Sequence, residues 1–307
     1  MRTASLVLLT VLTACGRFDP VDEKCYRPDE PWTRVAMDPD LFLDAIWGSG
    51  PDDVWAVGGG ILRWQGDAWK KVPSPTTTTL EGIWGSGPND VWAAGCAGTI
   101  IRWDGTEWSK VNSGTSDWKW NECFYGIGGS GPNDVWAVGD NGRALHWNGM
   151  VWKTFTAGTE TFFEVSSNQP NDALLVGGKG QLAHWDGTEL RTESSGTDMY
   201  LQGVWGIGGE YWIAAETHVL HRTSAGKPLE KIPVVGAIVQ TVWGTSNTDV
   251  WLTSSEGIVI HFDGTRWQPA CGTGRTDDTR IGIGAMWRSP KGGAWAVGSK
   301  GFILRGP

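Results

Sequence analysis

The chain has 307 residues, 40% of them apolar and 19% charged, with 45 Gly and 22 Trp. The Gly residues follow no G-x-y period, which excludes a collagen-like chain, and the Trp content argues against disorder. A formal net charge of −9 disfavours binding to nucleic acid and recruitment to anionic lipid by charge, since both need clustered Lys and Arg.

Residues 1–14 read MRTASLVLLTVLTA. Arg2 gives a short positive start, and the apolar run from Ala4 to Ala14 is too short to span a bilayer. The run ends in Leu12-Thr13-Ala14-Cys15, which resembles the lipobox of bacterial lipoproteins, where a dedicated peptidase cuts just before the Cys. That resemblance implies a signal peptide over residues 1–14 and a lipid on Cys15 as the new N-terminus. Acyl chains there would anchor the protein to a membrane, each buried CH₂ contributing about 0.8 kcal/mol. Gly16 is not the Asp that retains lipoproteins at the inner membrane in some bacteria, so the outer membrane is expected, on its periplasmic or surface side. Residues 15–31 are polar and Pro-bearing and read as a tether. No later stretch approaches 18 apolar residues, so the rest is expected in water.

From residue 32 onward the chain repeats one pattern. Copies begin at Ile46 (IWGSGPDDVWAVG), Ile83, Ile127, Val165, Val204, Val242 and Met286, spaced 37, 44, 38, 39, 38 and 44 residues apart. Each copy reads as short strands. An Ile-Trp-Gly run leads to a Pro-Asn-Asp turn, in which Pro presets φ and the Asp side chain caps the turn. A Val-Trp-Ala-Val strand follows, then Gly residues, then a strand like Ile100-Ile101-Arg102-Trp103 ended by Asp-Gly, then a fourth like Glu107 to Val111. Four strands per roughly 40 residues, repeated, predict a seven-bladed β-propeller over 32–307 with almost no helix. The seventh copy stops after its third strand, and Trp32-Thr33-Arg34-Val35 matches the fourth-strand pattern. The N-terminal segment is therefore expected to complete the last blade and remove an open edge.

Twenty of the 22 Trp fall in repeat slots, as expected for packing between blades. Trp118 and Trp120 stand outside every slot, in the long connection from Ser113 to Gly126. The residue before the third-strand Trp slot is Arg63, Arg102, His146, His184, His221, His261 or Arg305. One such residue per blade cannot converge on a metal, which needs its donors within about 2.0–2.3 Å, so these are read as interblade hydrogen-bond or cation–π partners. Asp53, Asp90, Asp134, Asp172 and Asp249 are read as turn residues. The sequence holds no EF-hand loop, P-loop, GxSxG or HExxH, and no cofactor, metal or catalytic residue is assigned. Trp-Asp pairs at Trp103 and Trp185 are similar to those of WD40 blades, but the Gly-His partner of that family is absent. The Asp-box of sialidase-type propellers is absent too. Nearly the whole chain after the tether resembles bacterial surface lipoproteins with WGSGPNDVWAVG-type propeller repeats. The resemblance implies the fold and supplies no active site.

Four Cys follow Cys15, and an even number in an exported protein predicts disulfides. Turns between second and third strands share one face with the connections between blades. Cys96 lies in such a turn and Cys123 in the connection leaving the same blade, so they are expected to pair. Cys25 and Cys271 then pair by elimination. The same face carries the long insertions 112–126 and 271–285, and loops on a rigid scaffold commonly build binding sites. The expected partner-binding patch is Trp118, Trp120, Tyr125, Arg275 and Arg280. These features predict a monomeric, non-enzymatic, membrane-anchored scaffold that binds a protein or glycan. A sialidase-like glycan hydrolase, which would need two converging carboxylates near the channel mouth, and an assembly factor for an outer-membrane complex are the alternatives.

Overall fold

The computed structural model describes residues 32–35, 41–115, 119, 121–224, 226–234, 237–255, 257–270, 283–289, 291–298 and 301–306. They form seven antiparallel four-stranded sheets, the propeller the repeat predicts. In blade 1 the strands are Leu43–Gly50, Asp53–Gly58, Ile61–Trp64 and Trp69–Val72, in that spatial order. The first strand of each blade lines a central channel. Among the described residues, helix is confined to two 3₁₀ turns, Asp140–Gly142 and Gly178–Gly180.

The last blade joins Ile283–Arg288, Ala294–Gly298 and Phe302–Gly306 to the N-terminal strand Thr33–Val35. Thr33 pairs with Arg305 and Val35 with Ile303, antiparallel. The third-strand Trp slot of this blade holds Gly306 instead. A Cβ at Gly306 would lie 2.7 Å from the Trp32 indole, so Trp32 occupies the space that the missing side chain leaves. The clasp is thus specified by side-chain volume as well as by backbone pairing.

The core lies between blades. Seven buried apolar clusters among the described residues each join two neighbouring blades, including blade 7 to blade 1. The second-strand Trp of one blade wedges against the third- and fourth-strand aromatics of the next. Trp55 sits 5.0 Å from Trp103 and 5.3 Å from Trp108, and Trp295 sits 5.0 Å from Trp64 and 5.2 Å from Trp69. Tilted and edge-on contacts at this spacing add to the burial of area. Blade 4 has Leu174 where the wedge would stand, and blade 5 has Arg222 where the receiving Trp would stand. Arg222 is 3% exposed and bonded to Glu193 of blade 4, so an ion pair replaces the aromatic lock at this interface.

Blades 1 to 6 also carry an internal polar lock. Cross-strand pairing sets Arg63 opposite Trp55, Arg102 opposite Trp92, and His146 opposite Trp136. The cation or imidazole lies on the indole face, at 4.5 Å for Arg63 and 4.2 Å for His146. The guanidinium Nε or imidazole Nε2 bonds the acid that opens the second strand: Arg63 to Asp53 at 2.8 Å, Arg102 to Asp90 at 2.7 Å, His146 to Asp134 at 2.7 Å, His184 to Asp172 at 2.8 Å and His261 to Asp249 at 2.8 Å. The hydroxyls of Ser49 and Ser86 donate to Asp53 and Asp90 at 2.6 and 2.5 Å. The interblade reading of the Arg and His residues holds in part: Arg63 also lies over Trp103 of the next blade at 5.4 Å and Arg305 over Trp64 at 5.3 Å, whereas the bonds to these acids run within one blade. The turn acids are likewise more than turn formers, because each accepts the bond that fixes the Arg or His set opposite the second strand.

Candidate functional site

The Cys96–Cys123 disulfide is present and ties the turn of blade 2 to the connection leaving it. Cys15, Cys25, Cys271, Trp118, Trp120, Arg275 and Arg280 lie outside the described residues. Tyr125 of the expected patch is described, and it lines the loop-face end of the channel.

That end is built by a bulge. The ladder between first and second strands slips between Leu43 and Ala45, Leu80 and Gly82, Phe124 and Gly126, and Phe162 and Glu164. A bulge sets two residues against one and re-aims the side chains. The channel lining therefore includes Asp44, Glu81, Tyr125 and Phe163 at one slot, with Glu164 beside Phe163. The channel holds a cavity of about 480 Å³, within the range of ligand pockets.

The mouth has two kinds of wall. The Tyr125 ring meets Phe163 edge-on at 6.1 Å, and Phe163 stacks on Tyr200 at 6.0 Å, giving an aromatic arc across blades 3 to 5. Asp44 and Glu81 stand on blades 1 and 2. Burial raises the carboxyl pKa of Asp44, and burial followed by repulsion from Asp44 raises that of Glu81. Tyr125 is raised by burial, then by Asp140 and Glu81. Glu164 is half-buried, and its carboxylate accepts a bond from the Val165 N–H at 2.9 Å. Burial in the channel wall outweighs that bond and pushes its pKa up to about 7.

Three residues deeper, Trp47, Trp84, Trp205, Trp243 and Trp287 line the channel. The Trp47 ring rests on Gly85 of the next blade, where a Cβ would lie 2.6 Å from the indole and 2.9 Å from the Asp90 carbonyl. Trp205 over Gly244 and Trp287 over Gly48 repeat the contact. Gly128 and Ser166 stand in this slot on blades 3 and 4. Among the described residues no three acids, His or Cys form a metal-binding group.

The raised pKa of Glu164 makes it a stability liability with a definite pH signature. Its folded pKa exceeds its unfolded value, so the cost is absent below about pH 4 and complete above about pH 7. Glu164→Gln should raise the stability by about 1–3 kcal/mol at pH 8 and leave it unchanged at pH 4. Urea midpoints at the two pH values check this, and equal midpoints at pH 8 would show a fully hydrated carboxylate.

Sequence reading found Tyr125 and missed Asp44, Glu81, Phe163, Glu164 and Tyr200. A signal was present: the slot two residues before each Ile or Val start reads Asp44, Glu81, Tyr125, Phe163, Gln202, Gln240 and Gly284. It departs from the repeat in nearly every copy.

No protein-family model matches the chain, and no curated protein matches it. Solved structures do. A YCF48 protein bound to a D1 peptide is 15% identical at a TM-score of 0.71, covering 90% of this chain and 96% of that one. Streptogramin B lyase is 14% identical at 0.73, covering 90% and 97%. The WD40 propeller domain of Doa1 is 10% identical at 0.72, covering 89% and 94%. Identities this low show a shared propeller fold and leave function to the site.

Proposed function

We propose that this protein is a non-enzymatic binding scaffold that engages a protein partner through its loop-rich face, held at a membrane by lipid on Cys15. One observation carries the reading. Phe42, Tyr200 and Ile238 are three of the five large hydrophobic residues exposed among the described residues. All three occupy the same repeat slot, four residues before the copy starts at Ile46, Val204 and Val242, on the loop face. Apolar side chains gathered on one face are the usual mark of a partner surface. The lipid anchor rests on the leader sequence, with residues 15–31 as its tether and the outer membrane as its site.

Two of the similar structures fit a binding role: one is a YCF48 protein bound to a D1 peptide, and the other is a WD40 domain. The lyase shows that the fold also hosts an enzyme. Here the His and Arg side chains of the blade walls are bonded to the acids that open the second strands. That arrangement favours binding over catalysis.

The test is capture from detergent-solubilised envelope. One defined protein should be retained by the wild type, lost on Phe42→Ser/Tyr200→Ser/Ile238→Ser, and kept on Met150→Ser/Val151→Ser, whose residues are exposed in the hairpin on the other face. Equal capture by both variants overturns the reading, as does retention of glycans alone on an array.

A further inference from the structure

We propose that the loop-face end of the central channel is a recognition pocket for the guanidinium of an arginine presented by a partner polypeptide, an inference that rests on the protein-binding reading above. The lining carries the argument. Among the described residues it holds Asp44, Glu81 and Glu164, the rings of Tyr125 and Phe163, and five indoles, and no Lys, Arg or His. Such a cavity is complementary to a cation and to nothing anionic.

The layout also fits the shape of that side chain. Arg lays its aliphatic stem along apolar surface and keeps its charged head among polar groups. The Tyr125–Phe163 wall offers a surface for the stem and for the guanidinium plane, which stacks on aromatic faces and binds carboxylates through two parallel N–H bonds. Lysine, a compact and strongly hydrated charge, matches such a wall less well.

The carboxylates of this pocket differ from the acids of the blade walls in their charge partners. Asp53, Asp90, Asp134, Asp172 and Asp249 are bonded to an Arg or His within their blades. Asp44, Glu81 and Glu164 make no ion pair among the described residues. Among the described residues, the titratable groups that line the channel with Glu164 are Tyr125 on the neighbouring first strand and Asp44 and Glu81 elsewhere around it, with Asp140 close enough to Tyr125 to act on it. None of these is a cation, so among the described residues lining the channel the ionised Glu164 has no counter-charge. A guanidinium entering the mouth supplies it and displaces the proton that burial keeps on Glu164. Binding is therefore expected to weaken as the pH falls from 8 to 5.

The test titrates the full chain calorimetrically with Nα-acetylarginine amide, Nα-acetyllysine amide and the uncharged isostere Nα-acetylcitrulline amide. Saturable binding of the arginine amide is expected, weaker binding of the lysine amide, and none of the citrulline amide. Glu164→Gln and Asp44→Asn/Glu81→Gln should each weaken the arginine amide at least about tenfold. Glu164→Gln is expected to be the more stable protein, so its loss of binding would not reflect unfolding. Equal binding of the citrulline amide, no saturable binding, or wild-type binding by both variants overturns the pocket. Capture of a partner that survives both carboxylate variants but not Phe42→Ser/Tyr200→Ser/Ile238→Ser overturns the pocket and leaves the scaffold reading standing. Arginine binding by a protein that captures nothing overturns the scaffold reading, and with it the polypeptide as source of the cation.

Discussion

Replacing Trp136 with alanine is expected to destabilise the propeller by about 3–5 kcal/mol. The side chain is fully buried, with the His146 ring stacked on it at 4.2 Å and Trp185 of the next blade at 5.4 Å. Deleting the indole loses its transfer energy and opens a cavity that two stiff sheets close poorly. The loss is larger than its area alone implies, because His146 keeps its bond to Asp134 and its ring is left over empty space. Urea unfolding followed by far-UV circular dichroism measures the effect. Met150→Ala is the control, since Met150 is 79% exposed and should change the midpoint little. A loss below about 1 kcal/mol for Trp136→Ala would show that blades 3 and 4 hold together without their wedge.

Asp134→Ala is expected to be about as costly, at about 3–5 kcal/mol, because it removes one partner from a buried network and strands the others. Asp134 is 2% exposed. It accepts bonds from the Ser130 hydroxyl at 2.7 Å, from His146 at 2.7 Å, and from the Ser167 hydroxyl of the next blade at 2.7 Å. Burial by itself would raise its pKa, but the bonds from His146, Ser130 and Ser167 outweigh burial and hold it below the ordinary range. A depressed carboxyl pKa contributes stability that is fully present above the unfolded value near 4 and is lost as the pH falls through the folded one. Asp249, where burial is outweighed by His261, Thr245 and Trp251, is lowered to about 2. The ring should therefore lose stability between about pH 4 and pH 2. The gap between wild type and Asp134→Ala should narrow over the same interval. A gap that stays constant down to pH 2 would show that the carboxylate's charge contributes nothing and its shape everything.

The architecture was legible because the repeat states it in local chemistry. Pro and Asp mark the same turn in copy after copy, Asp-Gly ends third strands, and the Trp slots recur at fixed offsets. The clasp was legible as well, since Trp32 to Val35 carry a fourth-strand pattern that the seventh copy lacks. The disulfide between Cys96 and Cys123 followed from strand direction alone. The polar lock was half legible. The Arg and His slot and the recurring turn acids were both visible, but the bond between them was not, because the two are joined by cross-strand register and stand 10 to 12 residues apart in sequence. The channel mouth was mostly illegible. A first strand read with a period of two assigns alternate residues to alternate faces, and the bulge at Asp44, Glu81, Tyr125 and Phe163 breaks that alternation. Expectation fell on the long insertions instead, of whose five proposed contacts Tyr125 alone lies among the described residues.

The pairing of Thr33 with Arg305 spans 272 positions, and it bears on how the molecule assembles. Contacts this distant carry the greatest loop-closure entropy and slow the approach to the native state. Six blades are local and can form as the polypeptide emerges, whereas the seventh waits with Thr33–Val35 unpaired until the final strand has been made. During that wait an identical neighbour offers the same strand, and exchanging it would link two rings into a swapped dimer. The edge that secures the toroid is thus also its most exposed moment, and a carrier that keeps nascent copies apart would favour its correct closure.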